Sequence, residues 1–322
     1  MTYARIAGIG SYLPEKVLTT KDLEGMMDTS DEWIRDRTGI KRRHIAAEDD
    51  TTASMALDAS LRAMEMADTD PSEIDLIVVG TCTPDKVIPS VACILQRRLG
   101  ITGCGALDVN AACSGFVYGL DVANRYMATG GAKKALVIGA ETLSRITNWK
   151  DRTTAVLFGD GAGAVVLESS EEPGILATHI HANGAYEDLL QTQNGVSRGF
   201  DASCNPGAYI EMNGNAVFKR AVGTFDAMTR ETIADLDGHL DDIDWFIPHQ
   251  ANMRIITAAA KKLKMPMERV IATVDEHANT SGASIPLALD LAVRDGRIKR
   301  GDTLLMAAFG AGFTWGSAML RF

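Results

Sequence analysis

The stretch Ala106-Leu-Asp-Val-Asn-Ala-Ala-Cys-Ser-Gly-Phe-Val-Tyr-Gly-Leu-Asp-Val-Ala123 changes from a strand-like to a helical pattern within a few residues. Residues 106–110 resemble the end of a strand, and apolar residues at helical spacing follow Cys113. Cys113 therefore lies at a strand-to-helix turn, where free backbone N–H groups and the positive end of the helix dipole stabilise a thiolate. Taken alone, this stretch also fits a small buried cysteine in a tight turn.

Strand-like and helical patterns alternate along the rest of the chain. Short apolar runs predict strands, and longer amphipathic segments predict helices. The predicted strands lie at 74–79, 134–138, 163–167, 244–247 and 303–306, and the predicted helices lie near 52–67, 89–99, 114–129, 215–236, 251–263 and 284–294. This alternation is typical of an α/β fold with a largely parallel sheet.

A loose internal repeat divides the chain into two similar halves. In each half, a strand leads to a helix, a second helix, a second strand and a glycine-rich segment that we interpret as a hairpin. These segments are Phe158-Gly-Asp-Gly-Ala-Gly-Ala164 and Phe309-Gly-Ala-Gly-Phe-Thr-Trp-Gly316. The repeat predicts two α/β units, 1–172 and 173–322, that meet at a shared face, although so loose a match also allows coincidence.

The charge of the chain limits the partners that it can bind. Its 322 residues include 32 Lys and Arg against 42 Asp and Glu, which gives a formal net charge of −10. This charge argues against nucleic acid or an anionic membrane as a general partner. The apolar stretches are too short to span a membrane and the first residues do not resemble a signal peptide, so we expect a cytoplasmic protein.

The cysteines follow no disulfide or metal-binding pattern. They are widely spaced, odd in number and without a C-x-x-C pair: Cys82, Cys93, Cys104, Cys113 and Cys204. Such a set in a protein expected to be cytoplasmic predicts free thiols and no zinc site. The rest of the sequence also gives no sign of a metal or an organic redox cofactor, so we expect neither.

Two further segments place polar residues where α/β sheets gather their ligands. In Asp244-Trp-Phe-Ile-Pro-His-Gln-Ala-Asn252, a predicted strand ends at Pro248, so that His249 follows its carboxyl end. The segment His277-Ala-Asn-Thr-Ser-Gly-Ala-Ser-Ile-Pro286 is a polar loop that leads into a helix. Each segment alone also fits a structural role, with His249 as a helix cap or core contact and Asn279 as a turn residue.

Taken together, these segments resemble a known family over nearly the whole chain. The resemblance is carried by Gly8-Ile-Gly-Ser-Tyr-Leu-Pro14, Thr29-Ser-Asp-Glu-Trp-Ile34, Arg37-Thr-Gly-Ile40, Ala111-Ala-Cys-Ser-Gly-Phe116, Phe158-Gly-Asp-Gly-Ala-Gly163, Pro248-His-Gln-Ala-Asn252 and Gly310-Ala-Gly-Phe-Thr-Trp-Gly316. They are similar to segments of β-ketoacyl-acyl-carrier-protein synthase III, the initiating condensing enzyme of bacterial fatty acid synthesis. The resemblance implies a thiolase-like fold, with two duplicated α/β halves in an α-β-α-β-α arrangement, and a homodimer.

By resemblance, Cys113, His249 and Asn279 form the catalytic set. Cys113 would accept the acetyl group of acetyl-CoA as a thioester, and malonyl-acyl carrier protein would then lose carbon dioxide. His249 and Asn279 would donate hydrogen bonds to the enolate oxygen, and the N–H groups of Cys113 and Ala311 would form the oxyanion hole of the condensation. Many relatives have glycine where this chain has Ala311, so a backbone angle open only to glycine would be lost here.

The resemblance also implies binding surfaces around the catalytic set. The residues expected to bind CoA are Thr29, Trp33, Arg37, Arg152 and Asn252. A docking surface for the acidic acyl carrier protein is a hypothesis that rests on the spacing of basic residues along predicted helices, and its residues are Gln250, Ala251, Asn252, Met253, Arg254, Lys219 and Lys261. The acyl pocket is expected to contain Leu143, Phe158, Leu190, Ile210 and, from a dimer partner, Ile88. Adenine would stack between an indole ring and a guanidinium group, and Arg254 and Lys261 would share one helix face.

Several functions stay open at this point. Asn279 favours the CoA-primed branch, because elongating β-ketoacyl synthases have a second histidine there. A condensing enzyme of secondary metabolism would use the same site on a longer or unusual starter. A cysteine hydrolase would use Cys, His and Asn without the glycine-rich segments. A non-catalytic scaffold would bind acyl groups but would form no acyl-enzyme at Cys113.

Overall fold

The computed structural model describes residues 3–198, 209–234 and 240–322. The strands are β1 (Tyr3–Tyr12), β2 (Val17–Thr19), β3 (Arg42–His44), β4 (Leu76–Gly80), β5 (Gly105–Val109), β6 (Lys134–Thr142), β7 (Asp160–Ser170), β8 (Ile175–Ala182), β9 (Leu190–Thr192), β10 (Ile210–Met212), β11 (Trp245–Pro248), β12 (Thr303–Gly310) and β13 (Thr314–Arg321). The α-helices are α1 (Thr20–Leu23), α2 (Asp31–Thr38), α3 (Thr52–Met66), α4 (Val91–Arg98), α5 (Gly115–Ala128), α6 (Gly214–Ala234), α7 (Met253–Leu263), α8 (Val274–His277) and α9 (Ser284–Arg294). The prediction of a free thiol at Cys204 lies outside the described residues, whereas the other four cysteines are free.

Two mixed sheets form the framework. One has five strands in the order β1-β7-β6-β4-β5, and the other has four in the order β11-β12-β13-β8. β4 pairs in parallel with β5 and β6, and β11 pairs in parallel with β12. The pairs β1–β7, β6–β7, β12–β13 and β13–β8 are antiparallel. The prediction of a largely parallel sheet was therefore wrong, because the last strand of each half runs back along its neighbour.

The helices complete the layered arrangement that the resemblance implied. α3 and α4 cover the outer face of the five-stranded sheet, and α6 covers that of the four-stranded sheet with α7 packed beside it. α5 and α9 lie between the sheets, and a large apolar cluster fills much of the space there, with Val78, Phe116, Leu289 and Met306 buried. The division at 172/173 stays a prediction. No helix in the described ranges is both long and apolar enough to cross a membrane.

The glycine-rich segment 158–164 does not form the predicted hairpin. β7 already begins at Asp160, and β6 reaches it through the longer connection 143–159. A Cβ on Gly163 would lie 2.7 Å from Pro286 Cβ, so this glycine lets α9 pack closely on the strand. The second glycine-rich segment does form a hairpin, which joins β12 to β13.

Candidate active site

Cys113 lies between β5 and α5, where the sequence pattern placed a strand-to-helix turn. A short 3-10 turn covers Ala112–Ser114, and α5 begins at the next residue. Ala112 has a φ of 45°, a left-handed conformation that is costly for a residue with a Cβ. This sharp turn positions the Cys113 side chain at the strand end, where it lines a cavity.

The β12–β13 hairpin packs directly on this turn. A Cβ on Gly310 would lie 2.7 Å from Cys113 N and 3.1 Å from Cys113 Cβ, which is too close for any side chain. Thr314 Oγ1 donates to Ala111 O at 2.8 Å, and Ser114 Oγ donates to Thr314 O at 3.2 Å. The hairpin and the cysteine turn therefore form one rigid unit.

Ala311, the expected second oxyanion donor, is compatible with the backbone of this hairpin. Its φ is not positive, whereas Gly312 has a φ of 131°. The angle that requires glycine therefore falls on Gly312. Alanine at 311 keeps its N–H and costs the hairpin no backbone strain of that kind.

Cys113, His249 and Asn279 line one cavity of about 260 Å³. They come from the turn before α5, the residue after β11 and the loop before α9, which are far apart in the sequence. Exposed basic residues at its outer end, Arg152 and Arg254, also line this cavity. The structure therefore brings the three predicted catalytic residues together at the inner end of a channel with a basic mouth.

His249 is a buried neutral imidazole. It is 2% exposed, and burial lowers its pKa to about 3. Its Nδ1 lies 2.7 Å from Ser284 Oγ, which also accepts a hydrogen bond from Gln250 N at 3.3 Å. The Ser284 hydroxyl hydrogen is then directed to Nδ1, so we assign the ring proton to Nε2.

Asn279 is oriented by its neighbours in the chain. Its Oδ1 accepts a hydrogen bond from Ser281 N at 2.9 Å. Its backbone N donates to Leu157 O at 2.9 Å, and its backbone O accepts from Gly159 N at 3.0 Å. Because Oδ1 is engaged, Nδ2 is the group that can donate into the cavity. The cavity therefore offers two N–H donors beside the Cys113 thiol.

The free protein holds Cys113 as a thiol. Cys113 is 9% exposed, and burial raises its pKa to about 12, against the opposing effect of a hydrogen bond with Ser281. The expectation of a thiolate was therefore wrong for the free protein, because desolvation outweighs the helix N-terminus. Attack by this thiol must include loss of its proton.

Glu141 is a buried carboxylate near the thiol that the sequence interpretation missed. It accepts hydrogen bonds from Thr83 Oγ1 at 2.6 Å, Ser281 Oγ at 3.1 Å and Cys82 N at 3.2 Å. Burial raises its pKa. Ser281 thus contacts both Glu141 and Cys113. The available signal was an acidic residue directly after the apolar run 135–140 of β6, since a buried charge is costly unless it is paired or hydrogen-bonded.

The residues expected to bind adenine form a cluster at the outer end of the cavity. The guanidinium carbons of Arg152 and Arg37 lie 5.4 Å and 5.6 Å from the centre of the Trp33 ring. Arg152 Nη1 also donates to Asp28 O at 3.0 Å. An adenine ring stacked between Trp33 and Arg152 would need a contact of about 3.5 Å on each of its faces. The present separation of 5.4 Å is too short for this, so Arg152 has to move outward to admit adenine. Thr29 does not line this cavity, and its Oγ1 has no partner among the described residues.

Gln250 was wrongly predicted to dock a carrier protein. It is fully buried. Its Nε2 donates to Pro248 O at 2.7 Å and Ile271 O at 3.1 Å, and its Oε1 accepts from Thr273 N at 2.8 Å. The amide therefore ties the end of β11 to the loop before α8 and cannot reach a partner.

The other predicted docking residues lie just before α7, along α7 and near the start of α6, with Lys261 in the last turn of α7. Ala251, Asn252 and Met253 are half-buried, whereas Arg254, Lys219 and Lys261 are exposed. Asn252 also caps α7, because its Oδ1 accepts from Ile255 N at 2.9 Å. The structure thus leaves a basic surface beside the cavity mouth.

Apolar residues expected to hold the acyl group line a second cavity of about 390 Å³, which Cys113 also lines. They are Leu143, Phe158, Leu190 and Ile210. Ile88 is 82% exposed and does not line this cavity within its own chain. Its contribution to the pocket of a partner stays a prediction.

Known proteins resemble this chain over its whole length. The family described as 3-Oxoacyl-[acyl-carrier-protein (ACP)] synthase III matches residues 107–184, and its C-terminal part matches residues 233–322. Beta-ketoacyl-[acyl-carrier-protein] synthase III of Thioalkalivibrio sulfidiphilus is 62% identical over 322 residues, which cover 100% of both chains. The protein of the same name from Xanthomonas campestris pv. campestris is 62% identical over 99% of this chain and 98% of its own.

Solved structures show the same similarity. 3-Oxoacyl-[acyl-carrier-protein] synthase III from Aquifex aeolicus VF5 has a TM-score of 0.94 and 48% identity, and the match covers 99% of this chain and 100% of that one. The priming beta-ketosynthase from the R1128 polyketide biosynthetic pathway has a TM-score of 0.94 and 35% identity, and the match covers 99% of this chain and 96% of that one.

Proposed function

Because this chain belongs to the 3-oxoacyl-[acyl-carrier-protein] synthase III family, we propose that it condenses acetyl-CoA with malonyl-acyl carrier protein through a thioester at Cys113. The chain is a condensing acyltransferase of fatty acid biosynthesis, and the resemblance drawn from its sequence is confirmed. One observation supports the residue assignment above all. Cys113, His249 and Asn279 line one cavity, in which the histidine and the asparagine are oriented as N–H donors.

The first step transfers the acetyl group from CoA to Cys113. The sulfur attacks the acetyl carbonyl carbon, the bond to the CoA sulfur breaks, and one thioester replaces another. We propose that the thiol proton passes through Ser281 to Glu141 and returns through the same hydroxyl to the departing CoA sulfur. The raised pKa of Glu141 makes it a better proton acceptor than an ordinary carboxylate. His249 is poorly suited to this task, since burial lowers its pKa to about 3.

Glu141→Gln is expected to slow acetylation of Cys113 by acetyl-CoA by about 10²-fold or more, as loss of a general base typically does. Single-turnover mass spectrometry of the acetyl-enzyme measures this rate. Asp160→Asn is the matched control, because Asp160 is also a fully buried carboxylate with a raised pKa, but it bonds to Ser144 and not to Ser281, which contacts Cys113. Unchanged or faster acetylation of Glu141→Gln would contradict the proton path and would leave Glu141 only its electrostatic effect on Cys113.

The second step removes carbon dioxide from malonyl-acyl carrier protein. Cleavage of the carbon–carbon bond leaves its electron pair as an enolate, with negative charge on the thioester oxygen. His249 Nε2–H and Asn279 Nδ2–H are the donors that would stabilise this oxygen. Because His249 stays neutral, the site donates hydrogen bonds without adding a buried positive charge.

The third step forms the new carbon–carbon bond. The enolate carbon attacks the acetyl carbonyl carbon on Cys113, and the resulting oxyanion would accept hydrogen bonds from the N–H groups of Cys113 and Ala311. Collapse releases acetoacetyl-acyl carrier protein and the Cys113 thiolate, which takes up one proton. In this proposal acetyl-CoA is a substrate, and no separate cofactor takes part.

The acyl donor that the enzyme prefers for acylation of Cys113 indicates the biosynthetic pathway in which it acts. We expect acetoacetyl-acyl carrier protein to form chiefly from labelled acetyl-CoA when longer acyl-CoA esters and acetyl-acyl carrier protein are offered in parallel. The 390 Å³ cavity beside Cys113 favours some use of other short acyl groups, since it exceeds what an acetyl group fills. A clear preference for a long or unusual starter would keep the mechanism but would assign the enzyme to secondary metabolism.

We propose that the arginines at the cavity mouth and the start of α7 bind the two carriers. Arg37 and Arg152 would bind the CoA nucleotide against Trp33, and Asn252 would lie beside the pantetheine arm. The exposed apolar pair Val87 (71% exposed) and Ile88 supports a homodimer that covers them. Sedimentation as a monomer at micromolar concentration would contradict that dimer.

Reversal of charge at Arg254 and Lys261 is expected to raise the KM for malonyl-acyl carrier protein several-fold. The reason is that both side chains are exposed on α7 and would face an acidic partner. Steady-state kinetics at low salt measures the change, and the KM for acetyl-CoA should change less. Arg297→Glu with Lys299→Glu is the control, because it changes the net charge equally at two exposed residues in the connection from α9 to β12. An equal effect of both pairs would contradict a docking surface on α7.

A further inference from the structure

Two histidines and a glutamate converge on the outer side of the four-stranded sheet. His179 and His181 lie on β8 two residues apart, so their side chains share one face of the strand. α6 packs on β8, and it contributes Glu231 from its last turns. His181 Nε2 lies 2.9 Å from Glu231 Oε2, and His179 Nδ1 lies 3.7 Å from Glu231 Oε1.

We propose that His179, His181 and Glu231 form a binding site for a divalent transition metal ion, with zinc as the ion that fits best. One ligand atom from each residue lies within 4.8 Å of the other two. Around a tetrahedral zinc ion with bonds of about 2.0–2.2 Å, neighbouring ligand atoms are about 3.4 Å apart. The separations of 2.9 Å and 3.7 Å, each measured to a different carboxylate oxygen of Glu231, lie on either side of that value. Rotation of the Glu231 carboxylate, so that it faces both imidazole nitrogens, would admit the ion.

The strand holds both histidines in place before any ion binds. The His179 and His181 rings are nearly parallel, with an angle of 3° between their planes. The His181 ring stacks on the Trp315 ring, with 5.6 Å between the ring centres. The backbone O of His181 accepts a hydrogen bond from Tyr118 OH at 2.6 Å. Ligands fixed on a rigid strand lose little entropy when a metal binds.

The chemistry of the three ligands favours zinc over calcium or magnesium. Imidazole nitrogen suits zinc, copper and nickel, whereas calcium and magnesium prefer sets made only of oxygen ligands. The Glu231 side chain is 41% exposed, so water can complete the coordination. No local sequence motif marks this site, because the glutamate follows the histidines only after several intervening elements.

A metal here would link α6 to the edge of the sheet. The first turns of α6 line the catalytic cavity through Val217, Phe218, Ala221 and Phe225. An ion bound between Glu231 and β8 would fix the other end of the same helix. We therefore expect zinc to stabilise the fold of this half, separately from the condensation chemistry.

The test is zinc titration of the full chain without an affinity tag, by calorimetry, with Co²⁺ absorption as a second readout. We expect one zinc ion per chain at this site and a higher thermal unfolding temperature with zinc. Glu231→Gln and His181→Gln should each weaken binding at least about tenfold. Asp226→Asn is the control, because it removes a carboxylate from the same helix that pairs with Arg230 and not with a histidine. This variant should bind zinc like the parent.

Two results would overturn the proposal. The first is zinc binding that Glu231→Gln leaves unchanged, which would mean that the three residues form only an ion-paired cluster. The second is zinc binding that Cys113→Ser abolishes while Glu231→Gln retains it, which would place the ion in the catalytic cavity. Since Glu231 lies at the surface, the Glu231→Gln variant is expected to fold even if a change at the less exposed His179 does not.

Discussion

Cys113→Ala is expected to lower the rate of condensation by at least about 10⁴-fold, as loss of a catalytic nucleophile typically does. The physical reason is that no acetyl thioester can then form on the enzyme, so the malonyl-derived carbon has no bound acetyl group to attack. No other cysteine lines the cavity that also contains His249 and Asn279 within the part of the chain that the structure describes. Formation of labelled acetoacetyl-acyl carrier protein measures the loss, and intact-protein mass spectrometry should find no acetyl adduct.

The same variant separates the two halves of the reaction. Because His249 and Asn279 are held by Ser284 and Ser281 rather than by Cys113, malonyl-acyl carrier protein should still lose carbon dioxide in Cys113→Ala. Cys93→Ala, at an exposed cysteine, should keep full activity. A Cys113→Ala variant that still condenses would refute the acyl-enzyme, whereas a folded parent protein that never acetylates would support a scaffold.

Asn279→Ala and His249→Ala are each expected to slow decarboxylation by about 10²–10³-fold, the usual cost of removing one donor to a developing oxyanion. Acetylation of Cys113 should survive in both variants, since neither side chain takes the thiol proton in our mechanism. Release of labelled carbon dioxide and the acetyl adduct measure the two steps separately. His277→Gln is the control, since His277 is another buried histidine, with a pKa lowered to about 4, that does not line the cavity.

The dependence of decarboxylation on pH checks the state of His249. Its pKa of about 3 lies below its ordinary value, so the neutral ring persists at every pH above about 4. The rate of decarboxylation should therefore show no change near pH 6.5 that is due to His249. Any pH dependence in that range should be the same in the parent and in His249→Ala. A rate that falls as the pH drops through 6.5, and that loses this fall in the variant, would instead mean that His249 titrates with an ordinary pKa.

Local patterns in the sequence predicted the positions of the catalytic residues well. A strand that ends before Cys113, and another that ends before His249, follow from apolar periodicity, and both turns lie where the pattern put them. The loop containing Asn279 was also recognised, but its approach to Cys113 depends on how the halves pack. That approach followed only from the family resemblance, because periodicity does not specify contacts between distant elements.

The errors at the candidate active site have a common physical origin in burial. Gln250 looked like part of a polar surface loop, but its amide replaces backbone hydrogen bonds inside the fold. The thiol of Cys113 was expected to be ionised from its place at a helix start, but the depth of the cavity outweighs that effect. Glu141 was overlooked because its partners, Thr83 and Ser281, come from other segments. The sequence does not state how deeply a side chain lies. At each of these positions, the free-energy cost of removing a polar group from water outweighs the local effect that the sequence pattern indicated.

The depth of Cys113 also protects it from oxidation. Peroxide and simple electrophiles react with the thiolate, and a thiol with a pKa of about 12 supplies very little of it at neutral pH. A resting molecule should therefore survive oxidising conditions that inactivate enzymes with an ionised catalytic cysteine. The same property limits covalent inhibition, because a reactive group reacts with this sulfur only on a compound that fills the cavity and holds the group against the thiol while its proton is removed. Selectivity among such compounds will then depend on their fit to the cavity more than on their intrinsic reactivity.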